Sequence, residues 1–183
     1  GMLVSEDRAM IEKVRFWATQ AREKEVYYEH KEIGYNYRMS NIVAGIGRGQ
    51  LRSLDEFKKL KEHIYNTYKD AFKDIDYISM NPIPKDCEPN YWLSCIRLKE
   101  DCKVKPYDIL QALEKENIES RPIWKPMHLQ PVYKECDFIR LVDDPIGVSG
   151  KIFNHGVCLP SDIKMTDEDM ERIINIVKEL IQR

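Results

Sequence analysis

Apolar residues recur at helical spacing in three long stretches of the chain and run as short extended blocks between them. Met10, Ile11, Val14, Trp17, Ala18 and Ala21 fall three and four residues apart, the stripe of an amphipathic helix, with Ser5 ahead of it as a candidate N-cap. Met2-Leu3-Val4 reads as the end of a strand, as though the chain begins inside a fold. A second series, Ile42, Val43, Ile46, Leu54, Phe57, Leu60, Ile64, Tyr68 and Phe72, meets no proline before Pro82. With Ser40 or Asn41 as its cap it predicts a helix about 45 Å long if roughly 30 residues run unbroken. Such a helix connects two domains, or breaks near Gly45, Gly47 and Gly49 or further along.

From Asn81 the pattern changes. Pro82, Pro84 and Pro89 make a loop before a strand candidate at Tyr91 to Leu98. Pro106 sits at a helix start, Ile109, Leu110 and Leu113 give that helix a buried face, and Asn117 suits a left-handed cap. Ile118 to Ile123 then resumes extended structure, so strand, helix and strand form an α/β unit. A helix or irregular segment near Val148 to His155 is closed by Gly156 before the strand Val157-Cys158-Leu159. The last helix has Thr166 as cap, Asp169 completing a capping-box variant, and the stripe Met170, Ile173, Ile174, Val177, Leu180 and Ile181.

Composition narrows the function classes. The 183 residues are 43% hydrophobic, enough for a folded core. Charged residues make up 33% yet nearly cancel to a formal −2, so no basic field exists to hold nucleic acid or an anionic membrane face. Five cysteines without a C-x-x-C pair favour reduced thiols and a cytoplasmic protein. No apolar run approaches membrane length.

Two stretches carry candidate chemistry. In Gly34-Tyr35-Asn36-Tyr37-Arg38, an extended backbone turns Tyr35 and Tyr37 one way and Asn36 and Arg38 the other. Arg38 offers a fork of N–H donors, Asn36 adds an amide, and the positive end of the helix beginning near Ser40 lies close by, which together describe a phosphate or carboxylate site. Gly34 would let the backbone approach closely. The plainer alternative makes Arg38 a cap or ion-pair partner and the tyrosines core. In Ser120 to Pro131, three prolines fix a loop on which Trp124 supplies a flat apolar face, Lys125 a cation and His128 a titratable group. Its plainer alternative is a stiff connection with Trp124 half buried and His128 bonded to backbone. Gly45-Ile46-Gly47-Arg48-Gly49 has no strand before it, so close packing between helices fits better than a nucleotide loop. His30, His63 and His155 lack partners at metal-ligand spacing.

The block "EIGYNYRMSNIVAGIGRGQL" resembles the region joining the large and small domains in the DegT/DnrJ/StrS family of pyridoxal-phosphate sugar aminotransferases. "YWLSCIRL", "LEKENIESRPIWKPMHLQPVY" and "GVCLPSDIKMTDEDMERIINIVKEL" are similar to later blocks of that family in the same order. The resemblance implies the C-terminal domain of a fold-type I pyridoxal-phosphate-dependent transferase. Residues 1–65 would be the tail of the large cofactor-binding domain with its connecting helix, and 66–183 a small α/β domain of α+β character. It implies that Asn36 reaches the cofactor phosphate of the other subunit, with Arg38 and Tyr35 near the same site, and that Trp124, Lys125 and His128 border the nucleotide-sugar pocket. In the family the lysine that forms the imine lies upstream of the block where this chain starts. The expectation is a C-terminal portion inactive by itself, from an enzyme moving an amino group from glutamate to a keto nucleotide-sugar, working as a homo-oligomer. The alternative is a non-catalytic subunit completing the site of a separately encoded large-domain chain.

Overall fold

A computed structural model of the protein describes residues 2–139 and 144–182. Two compact units divide the chain, 1–53 and 54–183. The division falls after Ser53 and not near residue 65, because Ile64, Tyr65, Tyr68 and Phe72 of one continuous helix are all buried with the second unit.

The first unit opens with α1 (Arg8–Ala18), whose cap is Asp7 and not Ser5: the Asp7 carboxylate accepts from the amide of Met10 at 3.0 Å. Ser5 lies a step earlier and accepts from the amide of Asp7. Residues 2–4 form no strand. After α1 the chain turns through Gln20 and Ala21, whose φ angles of 69° and 50° are left-handed, and a return segment lies along this turn. α2 (Asn41–Arg52) follows, capped by the Ser40 hydroxyl accepting from the amide of Val43 at 3.3 Å. The long apolar series is therefore two helices, interrupted at Ser53, with α3 spanning Leu54–Phe72. The glycines of α2 do not cause the break. Among the described residues of the first unit no helix packs closely on them, since a methyl group added at Gly45, Gly47 or Gly49 would meet nothing within 4 Å.

The second unit is a four-stranded antiparallel sheet with one helical layer. β1 (Ile78–Met80), β2 (Ser94–Leu98), β3 (Arg121–Pro122) and β4 (Gly156–Leu159) lie in the order β1-β2-β4-β3. α4 (Pro106–Lys115) and α6 (Asp167–Gln182) join α3 in covering one face. Alternation decides which residues that face receives: Ile96 and Leu98 of β2 and Val157 and Leu159 of β4 enter the core with Ile109, Leu113, Met170, Ile173 and Val177. The strand expected at Tyr91 to Leu98 begins only at Ser94, because Tyr91 takes a left-handed φ of 51°. Extended pairing expected over Ile118 to Ile123 shrinks to β3, where Pro122 has no N–H to donate and the strand sits at the sheet edge. Pro106 opens α4, Asn117 has a φ of 59° beyond its end, and Thr166 and Asp169 exchange hydrogen bonds at the head of α6. α5 (Gly147–His155) runs directly into β4.

Candidate functional site

The anion-site residues sit on the return segment of the first unit. Backbone bonds hold it in place: the amide of Tyr35 donates to the carbonyl of Trp17 at 2.7 Å, the amide of Gln20 to Tyr35 at 3.0 Å, and the amide of Tyr37 to Ala18 at 3.1 Å. Asn36 bridges to Thr19 in antiparallel fashion. Gly34 is needed for this fit, since a Cβ there would lie 2.3 Å from the amide nitrogen of Ala21. The close approach that the glycine permits is thus made by the chain's own turn, not by a ligand. At the start of the segment Glu32 accepts from the Trp17 indole at 2.7 Å and pairs with Lys13, and these two hold its carboxyl below the usual range, Lys13 foremost.

The two tyrosines share one side of the segment. Tyr35 and Tyr37 stack with ring centroids 5.2 Å apart and planes 6° from parallel. They are exposed rather than core, which removes half of the plainer alternative. Arg38 and Asn36 are exposed as well. Among the described residues no carboxylate pairs with the Arg38 guanidinium and no hydrogen bond occupies the Asn36 side chain, so their donor groups stand ready for an outside acceptor. Two residues beyond Arg38 comes the Ser40 cap of α2.

The second candidate lies in the second unit, where a cleft of about 760 Å³ is lined by Trp92, Ser120, Trp124, Lys125, Phe153 and Cys158 among others. That volume suits a small organic ligand. Trp92 and Trp124 meet with ring centroids 5.6 Å apart, tilted by 33°. The Arg121 guanidinium is tied to Glu119 at 2.7 Å, whereas the Lys125 ammonium has no acidic partner among the described residues. The hydroxyl of Ser120 is buried in the wall without a hydrogen-bond partner among the described residues. Lys61 supports the rim by donating to the carbonyls of Trp92 and Ser161. Gly156 lets the loop lie flat on β4, since a Cβ there would fall 2.4 Å from Ile123.

His128 does not line this cleft. Its Nε2 lies 3.0 Å from the carbonyl of Ile146 and its ring stacks on Phe138, so it fastens the loop from behind. Sequence reasoning missed Trp92, which looked like one residue of a strand. The signal that exposes it is the left-handed turn at Tyr91, a conformation that no spacing pattern announces.

Comparison with known proteins decides the family. The profile of the DegT/DnrJ/EryC1/StrS aminotransferase family matches residues 1–178. The chain belongs to this family. It is 44% identical over 98% of its length to EpsN of Bacillus subtilis (strain 168), whose name places it among pyridoxal phosphate-dependent aminotransferases, and it spans 46% of that protein. It is 26% identical over 99% of its length to the GDP-perosamine synthase of Caulobacter vibrioides, spanning 48% of it. Among solved structures, Helicobacter pylori PseC, an aminotransferase involved in the biosynthesis of pseudoaminic acid, superposes with a TM-score of 0.80 at 23% identity, covering 98% of this chain and 48% of that one. The Streptococcus pneumoniae protein Spr1654 in its PLP form gives 0.81 at 22% identity, covering 100% of this chain and 46% of that one. These two likenesses establish the fold. The chain spans about half the length of the relatives it matches.

The family is pyridoxal-phosphate-dependent, and the donors present fit one end of that cofactor. Its phosphate is a dianion, and the first unit offers in sequence a guanidinium and an amide without partners among the described residues and a capped helix start. Lys61 is occupied by two carbonyls, and Asp144 at 2.9 Å pushes Lys151 upward. No helix among the described residues is long and apolar enough to cross a membrane.

Proposed function

We propose that this chain serves as the phosphate-gripping and substrate-contacting portion of an aminotransferase that transfers an amino group from glutamate to a keto nucleotide-sugar, in amino-sugar or surface-polysaccharide synthesis. The observation that carries the reading is the pair Asn36 and Arg38, exposed and without a partner among the described residues, immediately before the Ser40-capped helix. Bound pyridoxal phosphate supplies an electron sink at the carbon whose nitrogen is exchanged. The residues here hold and orient. Arg38 and Asn36 donate to phosphate oxygens, and Tyr35, stacked on Tyr37, keeps the segment extended. Trp92 and Trp124 give a flat ring an apolar surface, and Lys125 meets the charge of a diphosphate. His128 acts through the loop, holding Trp124 and Lys125 in place by its bond to Ile146.

In this reading the reactive amine comes from a different stretch of polypeptide, and the phosphate held is one that a second subunit presents. The exposed apolar residues Ile42, Val43 and Ile46 of α2 favour such an assembly, either with another copy or with a large-domain chain. The test is reductive trapping. Chain mixed with pyridoxal phosphate and then borohydride is expected to yield no stoichiometric adduct on any one lysine by peptide mass mapping. A single lysine quantitatively labelled would overturn the reading.

A further inference from the structure

Cys95 and Cys158 stand directly opposite each other on β2 and β4, and their sulfurs are 3.6 Å apart. The backbone of Cys95 is turned away from this partner. Its amide donates to the Asn81 side chain at 2.9 Å and its carbonyl accepts from the Asn81 amide at 2.9 Å. In an antiparallel sheet both groups of a residue point to the same side, so the Cys95–Cys158 pair is of the non-hydrogen-bonded kind, with Cα atoms about 4.5 Å apart and side chains close. That separation lies inside the range a disulfide spans without backbone movement. The two thiols lie on the sheet face opposite the main core, since Ser94, Ile96 and Leu98 alternate with Cys95 to the other side.

Their position gives the pair something to act on. Cys158 lines the cleft beside Trp124, it is paired in register with Arg121, and its sulfur lies 3.9 Å from the carbonyl of Pro122. A change at this sulfur therefore reaches the start of the loop bearing Trp124 and Lys125. We propose that Cys95 and Cys158 form a reversible intrachain disulfide in the cleft wall, a redox site through which hydrogen peroxide or a small-molecule disulfide repositions the loop around Trp124.

The chemistry balances with peroxide as the two-electron oxidant. The Cys158 thiolate attacks one peroxide oxygen, the O–O bond breaks, and the sulfur becomes a sulfenic acid as hydroxide leaves and takes a proton to form water. The Cys95 sulfur then attacks that sulfenic sulfur, the S–O bond breaks, and the departing hydroxide leaves as water with the Cys95 proton. The order of events follows from position: Cys158 lines the cleft through which the oxidant arrives, and Cys95 stands behind it as the resolving thiol, its S–H directed at the Cys158 sulfur in a contact that favours the Cys158 thiolate.

The test uses the full chain carrying Cys87→Ser and Cys136→Ser, which removes the two exposed thiols, and Trp17→Phe, which confines tryptophan emission to the cleft. Treated with hydrogen peroxide, blocked with iodoacetamide under denaturing conditions and mapped by mass spectrometry, it is expected to give one peptide cross-link between Cys95 and Cys158. Dithiothreitol should reverse the cross-link, and tryptophan emission should shift on oxidation and return on reduction. Cys95→Ser should abolish both signals. Recovery of both cysteines as free alkylated thiols, or of Cys158 as a sulfinic acid without the cross-link, overturns the proposal. So does a cross-link that leaves tryptophan emission unchanged. None of these outcomes bears on whether Asn36 and Arg38 bind phosphate.

Discussion

In the second unit Ile109, Leu113, Val157 and Val177 are wholly shielded from solvent, whereas in the first unit Ile42, Ile46 and Leu51 are each more than half exposed and the hydrophobic residues described as buried come down to Ala21. The same kinds of residue at the same helical spacing meet opposite fates. One unit carries its own core. The other is held by backbone contacts around the turn at Gln20 and Ala21, and its apolar helix face is left for something else to cover. Hydrophobic periodicity reports that a face will be buried, but not whether the partner is in the same chain.

Substitutions can break or sharpen that contrast. Leu113→Ala empties a filled position of the second unit and is expected to cost about 2–5 kcal/mol of unfolding free energy, read by urea denaturation. A loss below 1 kcal/mol, on the order of a surface change, would mean the core is not the source of stability. Gly34→Ala forces a methyl into the backbone of the first unit's turn and is expected to cost about 1–3 kcal/mol locally. Hydrogen exchange at the amides of Tyr35 and Gln20 should then run roughly tenfold or more faster, with the amides of the second unit unaffected. Ile46→Ala should change unfolding of the chain by no more than about 0.5 kcal/mol, as for a surface position. A cost as large as that of Leu113→Ala would show that α2 is covered within the chain after all.

Much of this was legible in the residues. The α6 stripe and its Thr166–Asp169 cap, the start of α4 at Pro106, the Asn117 turn and the run of α5 into β4 all follow from local rules that act within a few residues. The misses share a physical cause. Asp7 and Ser5 are both good caps, and which one wins depends on a register that periodicity leaves open. The break at Ser53 lies in an unbroken apolar series with no helix-breaking residue to mark it. Trp92 joined the cleft because Tyr91 adopts a left-handed conformation, and nothing in a β-rich segment foretells that. At the anion site the stacking side of Tyr35 and Tyr37 and the close backbone approach at Gly34 were readable, while the partner of that approach was not, because the turn at Ala21 lies far off in sequence.

The central claim is that Asn36 and Arg38 grip the phosphate of a cofactor that this chain does not otherwise hold. Its most direct test is an NMR titration following the Asn36 side-chain amide and the Arg38 Nε–H as pyridoxal phosphate is added, with phosphate-free pyridoxal in parallel. The expected result is a weak, salt-sensitive shift of those two groups with the phosphate ester alone, weakened roughly tenfold or more by Arg38→Ala, as loss of a charged hydrogen bond dictates. Equal shifts with pyridoxal, or an affinity that Arg38→Ala leaves unchanged, would contradict it.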